Sequence, residues 1–296
     1  MGKIQKFGPV QFIRGAKGGR YPYCNSLYIE HAGIVIDPSS DRKMLKELAG
    51  NIKSIWLSHW HEDHIMHLDL FGHAKLCAHV KDAPPLADID EFINWYGING
   101  QNKPEIAEGW KTMMAELFHF QPRKIDENLE GGQKIDIVNE VIEILHTPGH
   151  SPGNLSFYFE ESGILFLGDY DLTAFGPWYG DRYSDIDQII ESVNRLRKIP
   201  AKIWLAGHED GVFESDPGDL WDQYLNVIDT RDEKLLSLLK DPKTIEEIAD
   251  AWIIYGKPIK PIAEFHFIEQ LSMKKHLDRL ISKGTVQQEA EFYRLK

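Results

Sequence analysis

Cysteine is scarce in this chain: Cys24 and Cys77 are its only two in 296 residues. Two isolated thiols cannot form a disulfide framework, and a chain that uses so few suits a reducing cytoplasm. Cys24 reads as a buried small hydrophobe. Long apolar runs are also missing. No stretch approaches the roughly 18 uninterrupted apolar residues that a membrane-spanning helix needs, so no membrane association is expected. The opening segment Met1-Gly2-Lys3-Ile4-Gln5-Lys6 has no apolar core of the kind a secretion signal carries. There is no short-period repeat and no low-complexity tract. Positive charge is in deficit, with 33 Lys and Arg against 46 Asp and Glu, a formal net charge of −13. The deficit is uneven: residues 231–296 hold 12 basic against 11 acidic residues, leaving 21 against 35, or −14, in residues 1–230. Proteins that grip phosphate backbones concentrate basic residues along the path. No such stripe lies near the motifs described next, so a small-molecule substrate is expected and nucleic acid is not.

What the chain does have is histidine placed where strands end. His59-Trp60-His61-Glu62-Asp63-His64 puts three histidines beside acidic residues directly after the apolar run Ile55-Trp56-Leu57. Imidazole nitrogens and carboxylates are the ligands of zinc and related divalent metals. Three later apolar runs stop at the same kinds of residue. Val141 to Leu145 leads through His146-Thr147-Pro148-Gly149 to His150, Ile164 to Leu167 leads to Gly168-Asp169, and Ile203 to Ala206 leads to Gly207-His208. Short apolar runs bounded by turn residues read as buried strands, and active groups gather where such strands end. Four such ends suggest one site.

With these residues in view, over about residues 10–230 the chain resembles the metallo-β-lactamase superfamily, whose His-x-His-x-Asp-His loop, later His, Asp and final His occur here in order. The resemblance implies an α/β fold, an αββα sandwich of two sheets between helices, with the site at one edge. It implies that His59, His61 and His150 hold a first metal, that Asp63, His64 and His208 hold a second, and that Asp169 bridges them. It also places Asp37, after Gly33-Ile34-Val35-Ile36, as a supporting residue that does not itself ligate; the alternative for Asp37 is a plain turn residue before Pro38. Asp169 stands where antibiotic-hydrolysing members carry a cysteine at the second metal, so a β-lactamase is not expected. Redox di-iron relatives replace the second loop histidine with glutamate, and here it is His61.

Two divalent ions, zinc first and iron or manganese as alternatives, would share a water and lower its pKa to about 7, making hydroxide available at neutral pH. The expected activity is hydrolysis of an ester-type bond in a small molecule, with thioester, ester and lactone in that order. Asp63 is a candidate to relay a proton to the leaving group. The competing readings are a metal-dependent nuclease or phosphodiesterase and an iron-dependent redox or sulfur-oxidising protein of the same fold.

Around the motifs, Asp41–Ala49 and Ile186–Ile199 read as helices. The insertion from residue 89 to 121 is rich in aromatics, and Trp110, Met113, Met114, Leu117 and Phe118 fall at helical spacing on one face. That face either packs on the body or forms a lid, a pocket wall or a homodimer contact. Trp95, Tyr96 and Trp110 are candidates for the wall, while Phe175, Trp178 and Tyr179, soon after Asp169, are candidates for the substrate mouth. Apolar walls around few polar groups are typical of small-molecule pockets.

The division expected is a catalytic domain over 1–230 and a small C-terminal domain over 231–296. In the latter, Asp232–Leu239, Thr244–Ala251 and Met273–Lys283 read as helices, the second opened by the capping pair Thr244 and Glu247. A hairpin from Gly284–Val286 to Phe292–Leu295 would follow. This order resembles the winged-helix appendage of some superfamily hydrolases. Such an appendage often binds DNA, and Lys274, Lys275, Arg279 and Lys283 form a local basic cluster. The segment is nearly neutral, however, and packing against the catalytic part is the preferred expectation.

Overall fold

The computed structural model describes residues 4–98 and 103–296; Met1, Gly2 and Lys3 of the leading segment and residues 99–102 of the insertion lie outside them. Seven strands pair in chain order to make the first sheet: β1 (Ile4–Phe7), β2 (Val10–Ile13), β3 (Ser26–Ile29), β4 (Ile34–Ile36), β5 (Ser54–Trp56), β6 (Lys75–Ala78) and β7 (Glu127–Asn128). The second sheet holds β8 (Lys134–Ile137), β9 (Glu140–His146), β10 (Leu155–Phe159), β11 (Ile164–Phe166), β12 (Ile203–Leu205) and β13 (Val212–Phe213), side by side in that order. The helices α1 (Arg42–Leu48), α2 (Glu62–Ile65), α3 (Ala83–Ala87), α4 (Ile89–Trp95) and α5 (Pro104–Glu116) interrupt the first half, and α6 (Ile186–Leu196) precedes β12. After the second sheet come α7 (Leu220–Leu238), α8 (Ile245–Ala249) and α9 (Ile262–Ser282), then the hairpin β14 (Val286–Glu289) and β15 (Phe292–Leu295).

The layering follows from the two-residue period of the strands. Val10, Phe12, Leu27, Ile29, Ile34, Ile36 and Trp56 point one way from the first sheet and meet Ile142, Ile144, Leu155, Phe157 and Phe166 of the second. The residues between them point outward. Ile13, Tyr28, Val35 and Ile55 pack under helices that supply Leu45, Leu86, Phe92 and Trp110, while Leu165 packs under helices that supply Ile189, Val193 and Leu235. Three apolar layers between four structural layers give the αββα sandwich. Phe12, Phe157, Phe159 and Phe166 are each fully buried at the centre, a placement that stabilises the fold by about 1.5–3 kcal/mol per side chain.

The helix reading holds for α1, which Asp41 caps by accepting from the Met44 amide at 3.0 Å, and for α6, which ends at Leu196, three residues earlier than expected. It fails in extent elsewhere. The helix expected from Asp232 begins at Leu220, and the one expected from Met273 begins at Ile262. Residue 230 therefore lies inside α7, with no linker there. Leu235, Ile248, Met273 and Tyr293 share a single apolar cluster with Leu165 and Ile189, so the last helices pack on the second sheet's helical layer. The Thr244–Glu247 capping box is present at the start of α8. On the insertion helix Trp110 and Met114 are buried, but α5 stops at Glu116 and Leu117 is 40% exposed. Among the described residues no helix is long and apolar enough to cross a membrane.

Candidate metal centre

Four loops at strand C-termini converge. β4 is parallel to β5 and β11 to β12, so their C-terminal ends point the same way and their following loops meet. His59 leaves β5 three residues after Trp56, and His61, Asp63 and His64 follow in and around the short helix α2. His150 follows β9, Asp169 follows β11 and His208 follows β12. Two glycines make the close turns possible. Gly168, at φ +60°, turns the chain so that the next residue is Asp169. Gly149 lies against the backbone of α6 at Ile189, where a β-carbon would overlap it.

The seven side chains form one cluster, with His59, His61, Asp63, His64 and His150 buried and Asp169 and His208 partly exposed. His59, His61 and His150 present one nitrogen each: His61 Nδ1 is 2.9 Å from His150 Nε2, which is 3.1 Å from His59 Nε2. Asp63 Oδ2 lies 3.3 Å from His208 Nε2 on the other side. Asp169 presents one oxygen to each group. Its Oδ2 is 3.3 Å from His150 Nε2 and 3.9 Å from His59 Nε2, while its Oδ1 is 2.7 Å from His64 Nε2 and 3.4 Å from His208 Nε2. Donor atoms around one tetrahedral ion with bonds of about 2.1 Å lie about 3.4 Å apart, which is close to these separations. Buried His64 Nε2 and Asp169 Oδ1 have no hydrogen-bond partner despite their proximity. They face a common point instead of each other's proton, as co-ligands do.

The nitrogen that each histidine turns away from the cluster is held. His64 Nδ1 is 2.9 Å from Asp37 Oδ2, His61 Nε2 is 3.0 Å from Asp181 Oδ2, and His59 Nδ1 is 2.9 Å from Ser58 Oγ. His150 Nδ1 donates to the Trp178 carbonyl at 3.1 Å and His208 Nδ1 to that of Gly19 at 3.0 Å. Metal-bound histidines are held in this way, because an outer acceptor fixes the tautomer and aims the free lone pair inward. Asp37 is more than a turn residue. It adopts φ +51°, is fully buried, and accepts from the Ser58 amide at 2.7 Å and the Ser58 hydroxyl at 2.6 Å besides holding His64.

The electrostatics fit a cation. Burial works against charge on every member, yet the His64 and His208 imidazoles hold Asp169 well below the usual carboxylate range. Reciprocally, burial disfavours protonated His64 and His208, and Asp169 overrides it and raises both well above the ordinary histidine value. Burial, then neighbouring His64, lowers His59; burial, then His61, lowers His150 to about 4. The anionic Asp169 and the neutral His59 and His150 imidazoles are ready metal donors, and the protons that Asp169 draws onto His64 and His208 mark where positive charge is favoured, charge that a divalent ion would supply in their place.

A cavity of about 440 Å³ opens over the cluster and includes His61, Asp63, His150, Asp169 and His208 in its lining. Of the aromatic candidates, Tyr96, Trp110, Phe175 and Trp178 line it. Tyr96 stacks on Trp110 at 4.4 Å between centroids, and Trp178 lies edge-on to His61 at 5.0 Å. Trp95 and Tyr179 are not among the lining residues. Trp95 packs on Trp60 and Tyr183 at 5.5 and 4.7 Å, because one helical step of 100° turns it away from Tyr96. Tyr179 is buried under the C-terminal helices, its hydroxyl 2.7 Å from both His276 Nε2 and Arg231 Nη1.

Several site residues carried no signal in the sequence. Asp181 follows no apolar run. Glu62, inside the histidine loop, accepts hydrogen bonds from Tyr21 at 2.8 Å and from Tyr96. Asp82, fully buried, accepts from Ser151 Oγ and the Gly153 amide, both at 2.6 Å, and so ties down the loop that carries His150. Burial raises its carboxyl to about 7.

Comparison with known proteins agrees with this geometry. A family profile described as the metallo-beta-lactamase superfamily matches residues 20–208, more than half of the chain. The chain belongs to the metallo-β-lactamase superfamily. Among curated superfamily relatives, a hydroxyacylglutathione hydrolase of Synechococcus sp. (strain JA-2-3B'a(2-13)) is 33% identical over 196 residues, 62% of this chain and 64% of its own length. One of Nostoc punctiforme is 25% identical over 200 residues, 63% and 64% of the two chains. The chain thus spans about 64% of the length of these relatives. Among solved superfamily structures, a metallo-beta-lactamase family protein from Thermus thermophilus superposes with a TM-score of 0.67 at 24% identity, covering 92% of this chain and 94% of that one. A beta-lactamase domain protein from Burkholderia ambifaria gives 0.70 at 14% identity, covering 99% and 94%. These two likenesses establish the fold.

Proposed function

We propose that the protein is a zinc-dependent hydrolase that cleaves an ester-type bond in a small molecule, a thioester first and a carboxylic ester or lactone next. The observation that carries this reading is the carboxylate of Asp169, split between two groups of inward-facing ligands beneath an aromatic-lined cavity. His59, His61 and His150 would hold one ion, Asp63, His64 and His208 the other, with Asp169 between. Zinc bound there supplies Lewis acidity toward the acyl oxygen and a water that ionises near pH 7.

The chain's own residues do the rest. Asp37, Ser58, Asp181 and the Trp178 and Gly19 carbonyls keep the imidazoles oriented, so donor geometry is set before substrate arrives. The aromatic walls exclude bulk water from the acyl carbon. Water adds to that carbon, the carbon–sulfur bond breaks, and the products are a carboxylic acid and a thiol. Asp63, 5% exposed and part of the cavity lining, is placed to hold the proton that the water gives up and return it to the departing group. Thiols ionise near pH 8.5, so a thiolate departs with less proton assistance than an alkoxide needs, which favours thioesters. The relatives named hydroxyacylglutathione hydrolase, and a relative over a shorter stretch named atrochrysone carboxyl ACP thioesterase from Cryptosporiopsis sp., support the same bond type.

The test is a hydrolysis panel on zinc-saturated protein, comparing a thioester, an aryl ester, a lactone, a phosphodiester and single-stranded RNA, with His59→Ala as the blank. Cleavage of carbonyl substrates alone is expected. Cleavage of the phosphodiester or RNA alone would replace this reading with a nuclease.

A further inference from the structure

Four residues of the C-terminal segment, Tyr255, Ile259, Phe265 and Ile268, line the cavity alongside residues of the superfamily domain. We infer that this segment selects the substrate, and that what it selects is a bulky apolar acyl group. The inference rests on the hydrolase reading above and adds the acyl class to it.

The segment is built to a fixed shape. Glu269, fully buried on α9, accepts from the Ile254 amide at 2.8 Å and the Tyr255 amide at 3.3 Å, and so holds the loop before the helix in place. The Trp178 indole donates to the Tyr255 hydroxyl at 3.2 Å, joining this loop to the mouth segment beyond Asp169. Tyr255 meets Phe265 at 90° with 5.4 Å between centroids and lies 5.9 Å from Phe175. Gly180 has no side chain where one would overlap Ile268 and Trp178, which lets the α9 face close against the mouth. Aromatic and branched side chains held this way present a preformed apolar surface, and binding to such a surface loses little conformational entropy.

Charge points the same way. Among the lining residues the only lysine or arginine is Arg20, whose side chain is 77% exposed and lies 3.9 Å from Glu209. The lining carboxylates outside the metal cluster are Glu62, Asp171 and Glu209. Two tyrosine hydroxyls bind Glu62, and the Thr173 amide binds Asp171 at 3.1 Å. Away from the metal ligands, an anionic acyl group would meet acidic side chains and no cation but the exposed Arg20, whereas an apolar one would meet Phe265, Ile268 and the indole of Trp110.

The experiment uses the full zinc-loaded chain and thioesters of one neutral thiol, N-acetylcysteamine, carrying acetyl, succinyl, phenylacetyl or octanoyl groups. A parallel binding series uses the matching amides, in which NH replaces sulfur, read by tryptophan fluorescence. A methylene in an apolar pocket is worth roughly 10–200-fold. The expected result is kcat/KM at least about 10-fold higher for octanoyl and phenylacetyl than for acetyl, with succinyl lowest. The amides should bind in the same order. Phe265→Ala and Ile268→Ala should each lower the octanoyl-to-acetyl ratio by about 10-fold. Equal kcat/KM and equal amide binding across the acyl groups, or a preference for succinyl, would overturn the inference and leave thioester hydrolysis standing. Apolar-selective amide binding without turnover of any thioester would sink the thioester reading and leave the pocket assignment intact. If a variant fails to fold, the wild-type series still decides.

Discussion

Asp181→Asn separates a metal-orienting carboxylate from a merely buried one. Asp181 Oδ1 accepts from two backbone amides, Tyr183 at 2.7 Å and Ser184 at 2.6 Å, while Oδ2 faces His61 Nε2 at 3.0 Å. An asparagine cannot serve both sides. With its oxygen toward the amides, its NH₂ faces His61 and pushes the ring proton to Nδ1, the nitrogen that faces His150 and would bind the ion. With its oxygen toward His61, its NH₂ opposes two N–H donors. Loss of an outer partner of this kind typically costs about 10–100-fold in metal affinity, or about 1.4–2.7 kcal/mol. Calorimetric titration of metal-stripped protein with zinc should show that loss at the ion held by His59, His61 and His150, and a smaller change at the ion held by Asp63, His64 and His208. Unchanged zinc affinity at both, in a variant with wild-type circular dichroism, would show that Asp181 does not orient a metal ligand.

Two further substitutions probe the proton relay and the loop that carries His150. Asp63→Asn, loaded with two zinc ions per chain at saturating metal as checked by elemental analysis, should lose turnover; near-normal rates at full metal content would remove Asp63 from the mechanism. Asp82→Asn tests a buried carboxyl that burial raises to about 7. An unfolded aspartate releases its proton near pH 3.9, so between about pH 4 and 7 the folded chain binds more protons, and stability falls as pH rises through that window, by up to about 4 kcal/mol. Asparagine does not titrate, so in chelator-treated protein the melting temperature of the variant, relative to wild type, should climb between about pH 4 and 7; a constant difference would show that Asp82 does not take up the proton.

How much of this was legible in the sequence depends on whether a residue sat in a repeating local pattern. Apolar runs ending in His59, His150, Asp169 and His208 announced both the strands and the residues that the fold brings together, since a strand's period and its terminus are local properties. The two-sheet sandwich was legible through the resemblance, and the inter-sheet core shows itself in the two-residue period of the folded strands. Asp181 is separated from His61 by 120 residues and belongs to a turn without periodicity, so only the folded chain brings them together. Trp95 and Tyr96 are neighbours in sequence, and one helical step decided which of them reached the cavity. The contribution of Tyr255 and Phe265 was hidden for a similar reason. Their aromatic character fits ordinary packing, and it is the buried carboxylate of Glu269, reaching back from α9 to the Ile254 and Tyr255 amides, that turns the segment into a wall.

Whether the His/Asp cluster is a dinuclear metal centre driving thioester hydrolysis is decided by following octanoyl thioester hydrolysis while chelator-stripped protein is titrated with zinc. A dinuclear thioesterase should show no turnover without metal and a rate that rises to a plateau at about two equivalents. Full activity in the stripped protein, or no hydrolysis with both ions bound, would contradict that assignment.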